Sequence, residues 1–208
     1  MSPAITLITC DNITSQSGQQ FNYDTDISGA DLLSEVCRNL QIPEAKSLRL
    51  LLRLNNQQLA WISPTETLSQ LKAASGMTLY ILKTNTPVSV TTPDGSTKKL
   101  IIDITKTVDE LIQFIADKQR ISNDPGNISN SLGYSLFLIG DKGVHIPLHP
   151  NLSLPQQTQK FDNLYFKRVF FVFTKSQMKD TASALMTFHD VKFNIEKRWP
   201  IFNIDPEV

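Results

Sequence analysis

The chain has 208 residues, 40% hydrophobic and 19% charged, a composition that excludes a disordered chain and allows two small domains. Its 20 basic and 20 acidic residues cancel, so no global charge attracts nucleic acid or an acidic membrane, and we expect no nucleic-acid partner. No apolar run is long enough to cross a bilayer and the first residues do not resemble a signal peptide, so Cys10 and Cys37 are expected as reduced thiols of a cytoplasmic protein.

The first predicted unit combines short strands with one helix. Ser28 precedes Asp31 by three residues, a spacing that resembles a capping box, and apolar side chains follow at helical spacing until Pro43. The predicted elements are, in chain order, strands over 5–8 and 20–23, a helix over 29–40, strands over 48–54 and 58–62, a short helical turn over 68–73, and a strand over 78–83.

The second predicted unit repeats this order at an offset of about 79 residues through its first helix. Asp94-Gly95 between strand-forming residues indicates a hairpin, and Thr107 with Glu110 forms a full capping box. The predicted elements are strands over 88–90 and 98–104, a helix that ends near 120, strands over 134–139 and 144–148, and a closing strand within 163–173.

The repeated order predicts an α+β chain of two tandem ubiquitin-like β-grasp domains, followed by a short helical segment. Another small α+β fold with the same element order is the alternative. The domains are predicted over 1–84 and 87–174, with a linker at 84–87 too short for them to move freely. Residues 175–208 do not start a third repeat and are predicted to contain a linker and the first helix of a truncated helical domain.

Catalytic and cofactor motifs are absent from the sequence. There is no glycine-rich phosphate loop, and no Cys-x-x-Cys pair or nucleophile set can be recognised. His145 and His149 are close in sequence, but no further His or Cys completes a metal site. We therefore predict no catalytic residue, no metal and no cofactor, and a binding module rather than an enzyme.

Several stretches resemble the N-terminal F0–F1 region of a talin-like FERM head with the start of F2, and the kindlin layout is the second choice. The stretches at 37–38 and 42–45 are similar to the end of the F0 helix, 92–99 and 105–108 to the F1 hairpin and helix entry, 152–154 and 164–171 to the end of F1, and 184–200 to the opening helix of F2.

The resemblance implies a non-enzymatic adaptor at the cytoskeleton or cell cortex that links adhesion receptors or membrane to actin. It implies as partners a small GTPase of Rap or Ras type, the remainder of the FERM head, and a receptor or the cytoskeleton through missing domains. The family's F1 carries a long basic insertion for acidic lipid, whereas the corresponding connection here is only 140–143, so we expect weak or no direct membrane contact. As a fragment, the chain is expected to be a monomer.

Cations suited to an acidic GTPase surface lie mainly in the second unit, where edge-strand pairing would supply affinity and charge would supply steering. The candidates are Lys98 and Lys99 on its second strand, Lys118 and Arg120 at the end of its helix, and Arg38 in the first unit. Lys167 and Arg168 are candidates for membrane or interdomain contacts. The plainer interpretation is that edge lysines discourage aggregation and helix-terminal cations complement the helix dipole.

Three functions therefore remain open. The first is an adaptor module that binds a GTPase, and the second is a purely structural tandem that positions or autoinhibits the rest of a FERM head. Charge reversal at Lys98, Lys99 and Arg38 separates these two, because only the first requires those cations. The third, a FERM module from the tail of a motor or signalling protein, is disfavoured by the position of the tandem directly after Met1.

Overall fold

The computed structural model describes residues 3–14, 18–43, 46–55, 58–92, 94–118, 134–140 and 145–168, together with 185, 188, 189, 191 and 192. The chain divides into two compact units. The first comprises Met1–Thr86, Ile102–Thr105 and Ser153–Lys160, and the second comprises Pro87–Ile101, Lys106–Leu152 and Phe161–Val208.

The first sheet has five strands in the order β2-β1-β5-β3-β4. Strands β1 and β5 pair in parallel, and the other neighbours are antiparallel. Its elements are β1 (Ala4–Cys10), β2 (Gln19–Asp24), α1 (Gly29–Asn39), β3 (Leu48–Arg53), β4 (Leu59–Trp61) and β5 (Thr78–Lys83).

Helix α1 begins and ends where local chemistry dictates. The Asp31 amide donates to Ser28 Oγ over 3.2 Å, while the Gly29 and Ala30 amides donate to backbone carbonyls of the β4–β5 connection. Gln41 has a φ of 56°, in the left-handed region that stops a helix, so α1 ends before Pro43. One face of α1 packs on the sheet. The buried side chains of this core include Leu7, Tyr23, Leu32, Val36, Leu50, Leu52, Leu68, Leu79 and Ile81.

The second sheet has the same arrangement, in the order β7-β6-β10-β8-β9. Strands β6 and β10 pair in parallel, and β8 pairs antiparallel with both β10 and β9. The elements that follow in chain order are β6 (Asn85–Thr91), β7 (Thr97–Asp103), α2 (Val108–Lys118), β8 (Tyr134–Ile139), β9 (His145–Pro147), α3 (Leu154–Gln157) and β10 (Asn163–Arg168). Of these, α3 belongs to the first compact unit. Its buried side chains include Val90, Ile102, Leu111, Ile115, Leu136, Leu164 and Phe166, and the Tyr134 and Phe166 rings stack at 5.0 Å.

The predicted α+β fold with two tandem sheets agrees with this architecture, and two details of the sequence prediction need correction. Most of the predicted linker at 84–87 has strand structure, because β6 begins at Asn85, directly after Thr84. A proline at position 87 favours a connection over a strand. Pro87 nevertheless lies in β6, before the pairing with β10 begins at Ser89. The predicted helical turn over 68–73 is a run of hydrogen-bonded turns, in which Lys72 adopts a φ of 55°.

The predicted domain limits stay a prediction, and most of the C-terminal segment 175–208 lies outside the described residues. Within it, positions 185, 188, 189, 191 and 192 are helical, and the side chains of Leu185 and Phe188 are exposed. Among the helices of the described part of the chain, none is long and apolar enough to span a membrane.

Candidate protein-binding site

Strand β7 is an edge strand of the second sheet and carries the two lysines that the sequence analysis selected. Lys98 and Lys99 are both exposed, and the Ile101 side chain is 70% exposed. Ile102, the next residue, is buried in the core and anchors the strand. The edge therefore presents two cations and one apolar side chain beside backbone groups that no strand of the described residues covers.

The hairpin turn before β7 fixes where these cations lie. Gly95 has a φ of 81°, which a glycine adopts without steric cost. The Asp94 carboxylate accepts hydrogen bonds from the Thr92 hydroxyl and from the Ser96 amide, the latter over 3.0 Å. Partial burial disfavours charge on Asp94, but these hydrogen bonds outweigh it, so the Asp94 pKa lies below its ordinary value. Asp94 is thus held as the anionic acceptor that closes the turn.

Two of the remaining GTPase candidates, Lys118 and Arg38, lie at helix ends. Lys118 is exposed in the last turn of α2, with its ammonium 5.5 Å from the centre of the Phe114 ring. Arg120 lies outside the described residues. Arg38 is in the last turn of α1 and is largely exposed, but its guanidinium lies 3.7 Å from the Glu35 carboxylate, which offsets its charge.

The first sheet offers a different edge. Strand β2 carries no cation, and its last residue, Asp24, is an exposed acid. A hollow of about 300 Å³ lies beside α1 and is lined by Ile27, Asp31, Ser34, Glu35 and Arg38. Two carboxylates accompany the single arginine there, so this surface is not a basic patch.

Lys167 lies on β10 and is buried, being only 6% exposed. Its ammonium stands 4.6 Å above the Phe137 ring, and the neighbouring His145 ring lies 4.4 Å from that of Tyr165. Burial and, secondarily, the Lys167 charge lower the pKa of His145. Lys167 therefore does not present its charge to a membrane surface. Arg168 pairs with Tyr134 through the backbone, and its side chain lies outside the described part of the structure.

Within the first unit, α3 is joined to β4 by contacts that the sequence did not predict. The Trp61 indole N–H donates to Ser153 Oγ over 2.9 Å, and the Gln156 side-chain Nε2 donates to the Leu59 carbonyl over 2.9 Å. Ser153 is also the capping-box residue of α3. Trp61 is half-buried. Its partner is 92 positions away in sequence, so no local pattern could identify it.

Neither cysteine forms a disulfide, and both are buried. Burial is the main cause that raises the Cys10 pKa, with Asp11 adding to it and Arg53 opposing it. The Arg53 guanidinium also lies over the Tyr80 ring, at 5.3 Å. No group of three or more His, Cys, Asp or Glu side chains within the described ranges could hold a metal ion.

No protein-family model matches this chain, and no curated protein sequence matches it. Among solved structures, one described as molecular mimicry of SUMO that promotes DNA repair matches with 15% identity and a TM-score of 0.32, over 39% of this chain and 94% of the other. The complex of the FERM and C-terminal domains of Drosophila Merlin matches with 16% identity and a TM-score of 0.42, over 52% of this chain and 36% of the Merlin chain. The present chain thus spans about a third of the Merlin chain.

Proposed function

We propose that this chain is a non-catalytic protein-binding module made of two ubiquitin-like β-grasp domains, the N-terminal part of a FERM-type adaptor with a talin-like layout. The strand order supports the β-grasp assignment. In both sheets an antiparallel hairpin precedes one helix, and the last strand inserts in parallel beside the first. Such an adaptor would work at the cytoskeleton or cell cortex.

The partner we propose is a small GTPase of Rap or Ras type, bound at β7. The observation that carries this proposal is the exposed pair Lys98 and Lys99 on an open edge strand. An acidic partner strand could extend the sheet while the lysines supply steering and register. The first sheet does not favour this role, because its open edge β2 carries Asp24 and no cation.

The test is a titration of the isotopically labelled chain with a Rap-type GTPase loaded with a GTP analogue, and with the GDP form as control. We expect nucleotide-dependent NMR shifts at residues 97–103 and along α2. Lys98→Glu combined with Lys99→Glu should weaken binding by at least about tenfold, or 1.4 kcal/mol. Lys83→Glu, which reverses an exposed strand lysine of the first sheet, should leave binding unchanged. Equal shifts with both nucleotides, or none, would reject this partner.

The structural alternative has its own support in the bonds from Trp61 to Ser153 and from Gln156 to Leu59. They fix α3 against β4 and suit a rigid spacer that positions the rest of a head. Under that alternative, reversal of Lys98 and Lys99 changes neither partner binding nor stability.

A further inference from the structure

The backbone register of β7 against β6 is fixed at both ends of the hairpin. The Thr92 amide donates to the Ser96 carbonyl over 2.9 Å, and the Ile104 amide donates to the Thr84 carbonyl over 2.8 Å. From Thr84 to Thr92 is eight residues, and from Ser96 to Ile104 is also eight. No residue is therefore inserted between the two bonds, and the ladder contains no bulge.

This register decides which backbone groups of β7 face outward. In an antiparallel ladder every second residue bonds to the neighbouring strand, so Ser96, Lys98, Leu100, Ile102 and Ile104 face β6. The Ser89 amide supports this assignment of bonded and outward residues. Ser89 is an odd-numbered residue of β6, and its amide donates to the Asp162 carbonyl, on the side of β6 away from β7. The outward backbone groups thus belong to the intervening residues Thr97, Lys99, Ile101 and Asp103.

The side chains of these outward residues form a self-complementary series. Lys99 is exposed and basic, Ile101 is 70% exposed and apolar, and Asp103 is half-buried and acidic. The base and the acid lie at equal distances in sequence on either side of Ile101. An antiparallel copy of the same strand, centred on Ile101, would place acid opposite base at both ends.

We propose that β7 pairs with β7 of a second copy of this chain, antiparallel and centred on Ile101. Ile101 then faces Ile101 of the second copy. Lys99 of each copy faces Asp103 of the other copy, which gives two pairs of opposite charge. The pair is isologous and closed, so it stops at a dimer. The pairing joins the second sheet of one copy to the second sheet of the other copy. The result is one continuous ten-stranded sheet, since each copy contributes five strands. It also replaces the monomer expected from the sequence.

The sequence of charges along β7 favours this register of pairing and favours a second copy of the chain as the partner. A register shifted to centre on Lys99 would place Lys99 opposite Lys99, which is unfavourable for directly opposed residues. The chain has no net charge, so no long-range repulsion opposes association of two copies. Opposed cross-strand pairs stabilise only modestly, and the dimer is therefore a weak one that forms at high protein concentration.

The first measurement is sedimentation velocity of the 208-residue chain. The protein concentration is raised to about 1 mM, where weak strand pairing is expected. The expected result is a reversible shift from a 23.4 kDa species toward twice that mass. Lys99→Asp and Asp103→Lys should each weaken association at least about tenfold, because each single variant opposes like charges. An equimolar mixture of the two variants should restore association, because acid then faces base again at both ends.

Lys98→Asp is the matched control. It makes the same charge change one residue away, on a residue whose backbone faces β6, and should shift the association constant by less than about threefold. Ile101→Pro tests the backbone, since it removes an outward N–H and no ladder bond. It should abolish the dimer, and thermal melting of each variant verifies that the fold is intact. Ile101→Pro keeps the test decisive if Asp103→Lys, whose native carboxylate accepts bonds from Thr105, disturbs the fold.

Sedimentation as a monomer at every concentration would overturn the proposal and leave the edge lysines as guards against pairing. A dimer whose association constant is unchanged by Lys99→Asp and by Ile101→Pro would overturn it as well. So would an equimolar mixture of Lys99→Asp and Asp103→Lys that stays monomeric. The proposed GTPase contact uses the same edge strand. Lys98→Asp distinguishes the two proposals, because it should weaken GTPase binding but change self-association by less than about threefold.

Discussion

His145 shows how a single side chain can make stability depend on pH. It lies against Tyr165 and beside Phe137, with the buried Lys167 ammonium nearby. A second positive charge at this position would be poorly solvated and would meet a cation already in place. The folded chain therefore favours the neutral imidazole.

The sign of the pH effect follows from this preference. The pKa of His145 falls below its ordinary 6.5 on folding, so above that pH both folded and unfolded chains carry the neutral form. As the pH decreases below 6.5, the unfolded chain takes up the proton first and stability is lost until the folded pKa is passed. We expect His145→Gln to flatten the pH dependence of stability against urea unfolding between pH 7.5 and 5 relative to wild type. Parallel profiles for wild type and His145→Gln would contradict this.

Gly29 is required for close packing rather than for an unusual backbone angle. A Cβ atom there would collide with the Ser63 carbonyl oxygen and lie 2.9 Å from Ile62 Cγ2. Alanine normally favours a helix over glycine, but here the backbone of the β4–β5 connection has to move. We expect Gly29→Ala to reduce the free energy of unfolding by about 1–3 kcal/mol.

Gly76→Ala provides the comparison by equilibrium unfolding. Its φ of 88° is strained for alanine, but no atom lies within 4 Å of the added Cβ, so the loss should be about 1 kcal/mol. A stabilised Gly29→Ala variant would show that this contact relaxes without cost.

At the scale of elements, capping determines where α2 starts. Thr107 Oγ1 accepts from the Glu110 amide over 3.3 Å, while a Glu110 carboxylate oxygen accepts from the Thr107 amide over 2.9 Å. We expect Thr107→Ala to cost about 1 kcal/mol in denaturant unfolding. Lys106→Ala removes an exposed ion pair to Glu110 and should cost less than about 0.5 kcal/mol. Equal costs for the two variants would assign the stabilisation to the ion pair instead of the cap.

The elements that could be predicted are those with local signals. Thr107 and Glu110 identify the start of α2 from four consecutive positions, and Asp94-Gly95 identifies the β6–β7 turn. The start of β6 at Asn85 could not be predicted in this way. Its pairing depends on β7 and β10, which are distant in sequence, and Pro87 locally favours a connection.

The candidate site was predictable only in part, for a similar reason. Exposure of Lys98 and Lys99 could be expected from their position next to the Asp94-Gly95 turn, which local sequence reveals. Burial of Lys167 could not be predicted from local sequence, because the Phe137 ring beneath its ammonium belongs to another strand. The bond between Trp61 and Ser153 is equally non-local. Sequence thus identifies which residues are polar, and the fold decides which of them reach solvent.

For the whole molecule, zero net charge means that any electrostatic recognition has to be local. The two sheets share one strand order but present open edges of different character. Edge strand β7 carries Lys98 and Lys99, whereas β2 carries Asp24. The duplicated fold therefore gives corresponding edge strands of different charge, of which β7 carries the two lysines.

The most direct test of this account is calorimetric titration of the chain with a Rap-type GTPase in its GTP-analogue and GDP forms. Wild type and the Lys83→Glu control should bind the GTP-analogue form more tightly than the GDP form. The variant carrying Lys98→Glu and Lys99→Glu should lose at least about tenfold in affinity, with unchanged thermal stability. Equal affinities for all three chains, or no nucleotide dependence, would contradict recognition at β7 and favour the structural alternative.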